Sequence, residues 1–127
     1  MNKGGEYMKF NWCTLMVKDL DKSVKFYEGV LGLKVNGRFI AGQGLEIAFL
    51  GDGDTQIELV WNADNPGFLC GDAVSWGFEV ESMDEALDMV RTQGIPIHSG
   101  PFIHPNVKYF FIRDPDGLKI QLKEVVK

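Results

Sequence analysis

The sequence predicts an α+β domain made of two βαβββ modules, whose curved mixed sheets form a cleft and carry their helices on the outer faces. Three observations predict it. Leu20, Val24, Tyr27 and Leu31 fall on one stripe of a helix, with Asp21, Lys22, Lys25 and Glu28 turned to water. Ser82 and Glu85 spell a capping box that opens a second helix. The order strand, helix, strand, strand, strand then occurs twice. Val17 and Val80, Ile57 and Ile120, and Leu59 and Leu122 are each 63 positions apart, as an internal duplication requires.

Taken in order, residues 1–7 are polar and Gly-containing with no periodicity and are expected to form a loose, disordered leader. The single domain then spans 8–127, with a first module over 8–62, a linker over 63–72 and a second module over 73–127. Phe10 to Val17 is the first strand. Asp19 caps the helix over 19–31, and Gly32 suits the left-handed residue that ends it. Strands follow at Leu33 to Ile40, Leu45 to Leu50 and Thr55 to Trp61, the last two joined by the turn-forming Gly51-Asp52-Gly53-Asp54. The linker holds Pro66 and two glycines. In the second module the strands are Val74 to Val80, Ile95 to Phe102, Val107 to Ile112 and Leu118 to Val125, and the helix over 82–93 ends at Gly94.

Alternate residues of a strand face opposite sides of its sheet. Leu15, Ile57, Leu59, Phe78, Ile120 and Leu122 are apolar and belong under the helices, and Trp61 and Trp76 count out to that side too. The intervening residues face the other way: Trp12, Thr14 and Met16; Gln56, Glu58 and Val60; Ser75, Gly77 and Glu79; Lys119, Gln121 and Lys123. Polar residues on a face opposite a packed core line water or a ligand.

Composition narrows the partners. A chain of 127 residues with 45% apolar content is long enough for one well-buried core. Its net charge of −5 and pI near 4.9 repel phosphate backbones and anionic membranes, so neither nucleic acid nor a membrane is expected. No signal peptide or spanning apolar run is evident, and the expected compartment is the cytoplasm. Cys13 and Cys70 form no spacing motif, and Cys13 reads as a buried free thiol.

Val17-Lys18-Asp19-Leu20, then Ser23, Phe26-Tyr27 and Leu31-Gly32, resemble the first-module signature of the glyoxalase/bleomycin-resistance/extradiol-dioxygenase (vicinal oxygen chelate) superfamily. Phe111-Ile112-Arg113-Asp114-Pro115-Asp116-Gly117 with Lys119-Ile120-Gln121-Leu122 resembles its other half, so the likeness spans roughly residues 9–125. The resemblance implies that the sheets curve into a cleft. Open sheet edges predict a homodimer, and the resemblance implies that positions 12 and 58 of one chain face 75 and 121 of the other.

Metal-dependent glyoxalase-type members of that superfamily place His, Glu, His and Glu at the positions of Trp12, Glu58, Ser75 and Gln121. Only Glu58 survives here. An open catalytic ion needs about three strong N/O ligands, which this set does not supply. His98 and His104 follow no ligand spacing and read as surface or hydrogen-bonded residues. Glu58, on a concave face beside an indole, is the candidate catalytic group, a base or an anchor for a ligand's donor; the alternative for it is a carboxylate hydrogen-bonded to Gln121 or Lys119, or one left in water. Trp12, Met16 and Val60 supply apolar wall, and Thr14, Ser75 and Gln121 complete the candidate ligand-binding set. The reading that follows is a metal-free cleft for a small aromatic or cationic organic ligand, as in the antibiotic-sequestering relatives. Its alternative is a metal-dependent lyase or isomerase of the lactoylglutathione lyase type, with a divalent transition metal such as Ni or Zn.

Overall fold

The computed structural model describes residues 8–64 and 71–126. The first module runs β1 (Trp12–Met16), α1 (Leu20–Lys25), β2 (Val35–Gly42), β3 (Leu45–Leu50) and β4 (Gln56–Asn62). The second runs β5 (Ser75–Glu79), α2 (Met83–Thr92), β6 (Ser99–Ile103), β7 (Val107–Arg113) and β8 (Lys119–Val125). Each module forms a four-stranded mixed sheet, ordered β1-β4-β3-β2 and β5-β8-β7-β6. The duplication holds at the level of register. Trp12 pairs with Gln56 in parallel, and Ser75 pairs with Lys119 in the same way.

Asp19 caps α1 by accepting the Lys22 N–H at 3.1 Å, and Gly32 ends the segment at φ +73°. The expected single helix over 19–31 is instead α-helical only to Lys25 and continues as a π-helical turn, Phe26–Val30. The Leu31 N–H reaches back five residues to Phe26 at 3.2 Å. The wider turn buries Phe26 beside Tyr27, one more aromatic ring than a regular stripe would cover. In α2 the Ser82 hydroxyl accepts the Glu85 N–H at 3.2 Å, and Gly94 ends the helix at φ +72°.

Several strand boundaries shift by a residue or two, and the start of one strand by four. β2 continues through Ala41 and Gly42 because the hairpin closes only at Gln43-Gly44, where Gly44 takes φ +68°. β6 begins at Ser99 rather than Ile95. The Ile95 N–H is spent on the Val90 carbonyl at the end of α2, and Ile95 and Ile97 pack on the core.

One core serves both sheets and both helices: Val17, Tyr27, Leu50 and Leu59 from the first module meet Val90, Phe110, Ile112 and Ile120 from the second. Trp61 and Trp76 pack against it, as their parity requires. Three hydrogen bonds stitch the modules together inside this core. The Tyr27 hydroxyl donates to Asp114 at 2.7 Å, and Asp116 accepts the Lys18 N–H at 3.1 Å and the Ser23 hydroxyl at 3.3 Å. Among the described residues no buried side-chain polar atom lacks a partner. Cys13 is free and half-buried on the core side, where burial pushes its thiol up from the ordinary range. Residues 1–7 and Cys70 lie outside the described residues. No helix among those described is long and apolar enough to cross a membrane.

Candidate functional site

Each sheet turns one face to the core and leaves the other open. On the first open face, β1 and β4 place Thr14 directly beside Glu58, and the Thr14 hydroxyl donates to Glu58 Oε1 at 2.6 Å. The expected partners, Gln121 and Lys119, lie on the other sheet, so the carboxylate is held from within its own module. Phe49 is the cross-strand partner of Glu58. Its ring meets Trp12 edge-on at 6.3 Å and stacks with Phe39 at 6.3 Å. An aromatic wall therefore stands on either side of one half-buried carboxylate, with Trp12 itself 52% exposed. Met16 continues the wall. Val60, only 8% exposed, offers a ligand little surface.

The second open face repeats the register with different chemistry. Gly77 occupies the place of Thr14 and Gln121 that of Glu58. A side chain at 77 would begin 3.1 Å from the Gln121 amide oxygen, so Gln121 lies across the backbone that Gly77 leaves bare. Ser75, exposed at the start of β5, neighbours Lys119. Phe111, Tyr109 and Phe102 form a second aromatic wall, with Lys119 Nζ 4.6 Å from the centre of the Phe111 ring.

Arg113, Phe49 and Phe111 lie on these faces too, although the sequence reading names none of them as a site residue. The alternation that revealed the faces of β1, β4, β5 and β8 applies equally to β3 and β7 and would have found them. Arg113 donates to Asp72 at 2.8 Å, to the Gly117 carbonyl at 2.8 Å and to His98 Nε2 at 2.9 Å. Since a guanidinium only donates, His98 accepts at Nε2 and in its neutral form carries its proton on Nδ1, toward Ser99 Oγ at 3.0 Å. The Arg113 hydrogen bond and charge hold the Asp72 carboxyl below the usual range. His104 stacks on Tyr109 and reaches its hydroxyl at 3.5 Å.

Among the described residues Glu58 and Trp12 bond and stack only within the first module, with Thr14 and Phe49, and Gln121 lies against Gly77 of the second. Cavities of about 460 and 480 Å³ lie along the seam between β1 and β5, where Cys13 and Trp76 line both, and one of about 420 Å³ lies on the first open face against Trp12, Phe49 and Gln56.

A metal is a poor fit to these residues. An indole, one carboxylate, a serine hydroxyl and a Gln amide make a weak donor set, and among the described residues no three His, Cys, Asp or Glu side chains come together.

The sequence pattern of the Glyoxalase/Bleomycin resistance protein/Dioxygenase superfamily matches residues 9–122. The chain belongs to that superfamily. Among members of the superfamily, it is 36% identical over 115 residues to the lactoylglutathione lyase of Neisseria meningitidis serogroup A, covering 84% of this chain and 83% of the relative. The trypanothione-dependent glyoxalase I of Leishmania major superposes with a TM-score of 0.79 at 28% identity, over 91% of this chain and 86% of that one. TnmS3, an antibiotic binding protein from Streptomyces sp. CB03234, superposes at 0.75 over 94% and 97% of the two chains. Its 22% identity speaks for the shared superfamily fold alone.

Proposed function

We propose that this superfamily member is a glyoxalase-like lyase or isomerase that moves a proton on a small organic substrate, with Glu58 as the group that takes and returns it. The observation that carries the reading is the carboxylate itself. Glu58 stands half-buried on an open sheet face, fixed by the Thr14 hydroxyl at 2.6 Å and bordered by Trp12 and Phe49. A base held in one position beside a flat apolar wall can meet a C–H bond of a substrate laid on that wall. The lactoylglutathione lyases at 31–36% identity support a reaction over simple binding. No step is assigned to a metal, since the donors do not suit one.

The cleft is completed by a second copy of the chain. In a homodimer, Glu58 and Trp12 of one protomer would face Ser75 and Gln121 of its partner, and the Gln121 amide would hydrogen-bond the substrate's oxygen. The test follows the reaction that gives the relatives their name, with wild type and Glu58→Gln. Turnover in the first and loss by at least about a hundredfold in the second is expected for a general base.

Trp12 favours a second reading, a binding protein without turnover. A large exposed indole where a metal ligand would stand is suited to stacking a flat ligand. Ligand affinity that depends on Trp12, in a protein with no turnover, would select it.

A further inference from the structure

Strand parity assigns every charged side chain of the two open faces. The first carries Glu58. The second carries Arg113, Lys119 and Lys123 against Glu79, with Asp72 reaching in from the segment before β5. In a chain of net charge −5 this face is locally cationic.

The cations are also placed where a fold alone would avoid them. Arg113 and Lys119 are direct cross-strand partners on the same face, and like charges so placed repel. Asp72 answers the Arg113 charge at 2.8 Å. Lys119 makes no close ion pair among the described residues; Asp72 feels its charge less than that of Arg113, and Lys119 is half-buried beside Phe111. The duplication supplies an internal control. The first-module counterpart of Lys119 is Gln56, at the same register beside Trp12, so the sheet does not need a cation there.

We propose that Lys119, backed by Arg113 and by the Ser75 hydroxyl next to it, binds an anionic group of the small molecule, a carboxylate or phosphate, while Phe111 carries the molecule's flat part. The proposal rests on reading the open faces as the ligand cleft, and it names the charge of what enters. The acidic balance of the whole chain points to a cation, but ligand recognition is decided locally, and among the described residues the second face sets Arg113, Lys119 and Lys123 against Glu79 and Asp72 alone. A half-desolvated ammonium gains most from an anion that meets it in a water-poor cleft.

The experiment titrates benzoate, phenyl phosphate and benzylamine into the full chain. Affinity is read by calorimetry, and the site by amide chemical shifts. The anions should shift the amides of Ser75, Phe111 and Lys119, and Lys119→Gln should weaken them at least about tenfold, a change typical of losing one charge-assisted contact. Phenyl phosphate binding tighter than benzoate marks a phosphate site, and the reverse order a carboxylate site. Benzylamine binding there as well as the anions overturns the proposal. So does anion affinity unchanged in Lys119→Gln, or lowered equally by Lys123→Gln, which would mean a diffuse field with no discrete site. Anion affinity kept in Lys119→Gln while Glu58→Gln abolishes turnover sinks this site and leaves the lyase reading standing. Anion affinity lost in Lys119→Gln in a protein without turnover supports the site and sinks the lyase reading.

Discussion

Thr14 Oγ1 donates to Glu58 Oε1 at 2.6 Å, and the duplicated copy of this pair, Gly77 and Gln121, has no hydroxyl to donate. The first module therefore fixes a carboxylate, whereas the second lays an amide over bare backbone. Thr14→Val keeps the branched shape and removes the donor. It should change stability by less than about 1 kcal/mol, because Thr14 is exposed and water can replace its bond to Glu58. Turnover or ligand affinity should nevertheless fall several-fold as Glu58 gains rotamer freedom. A denaturation midpoint shifted well beyond that range would show that the bond holds the fold and not the site.

Tyr27 and Asp114 join the modules where water cannot compensate. Tyr27→Phe leaves one Asp114 oxygen in the core without that donor and should cost about 1–3 kcal/mol, read as a lower urea midpoint with an unchanged slope.

Asp114 also predicts a pH dependence. Desolvation by burial raises its pKa above the ordinary 3.8, and the Tyr27, Leu118 and Asp116 donors only partly oppose that. The folded state thus holds this proton more tightly than the unfolded chain. Its contribution is complete below 3.8 and is lost as pH rises through the folded pKa. Asp114→Asn keeps the shape without the charge and should remove this falling component from a plot of unfolding free energy against pH just above 3.8. A plot superimposable on wild type in that window would count against it.

How far the sequence was legible depended on periodicity. The two modules, both helix caps and the faces of β1 and β4 follow from alternation, helical spacing and a 63-residue repeat such as Trp12 to Ser75. The π-helical turn was not legible, because burial of Phe26 beside Tyr27 is decided by a core that both modules supply. The strand at Ile95 was misplaced for the same reason: an apolar segment that packs on the core from a helix end has the composition of a strand. At the site, Glu58 and Trp12 could be found by counting, but the Thr14 bond and the Arg113–His98–Asp72 cluster depend on partners up to 44 residues apart.

The donor set makes a prediction about metals. Zinc, nickel or manganese titrated into protein purified without chelator should show no stoichiometric tight site. A tight site abolished by Glu58→Gln would overturn this and return the ion to the mechanism.

Trp12→Ala should weaken an aromatic ligand by about 1–3 kcal/mol through lost stacking and apolar burial. Trp12 is half-exposed and outside the core, so the unfolding midpoint should hardly move. Equal losses in affinity and stability would mean that the indole only supports the sheet.

The last prediction concerns the second copy. β1 and β5 each pair with a single neighbour, and half-buried Trp76 and exposed Phe10 and Val74 lie along the seam they border. Open edges beside apolar surface are normally covered, and sedimentation should give a dimer at micromolar concentration. If each cleft takes Glu58 from one chain and Gln121 from the other, two inactive variants should rescue each other. A dimer of one Glu58→Gln chain and one Gln121→Ala chain has one cleft with both residues intact and one with neither. Random exchange of the two variants should therefore restore about a quarter of the clefts. Rescue requires a cleft built across the dimer. Mixed variants as inactive as either alone, in a protein that exchanges protomers, would place both residues' work within one chain and refute the shared site.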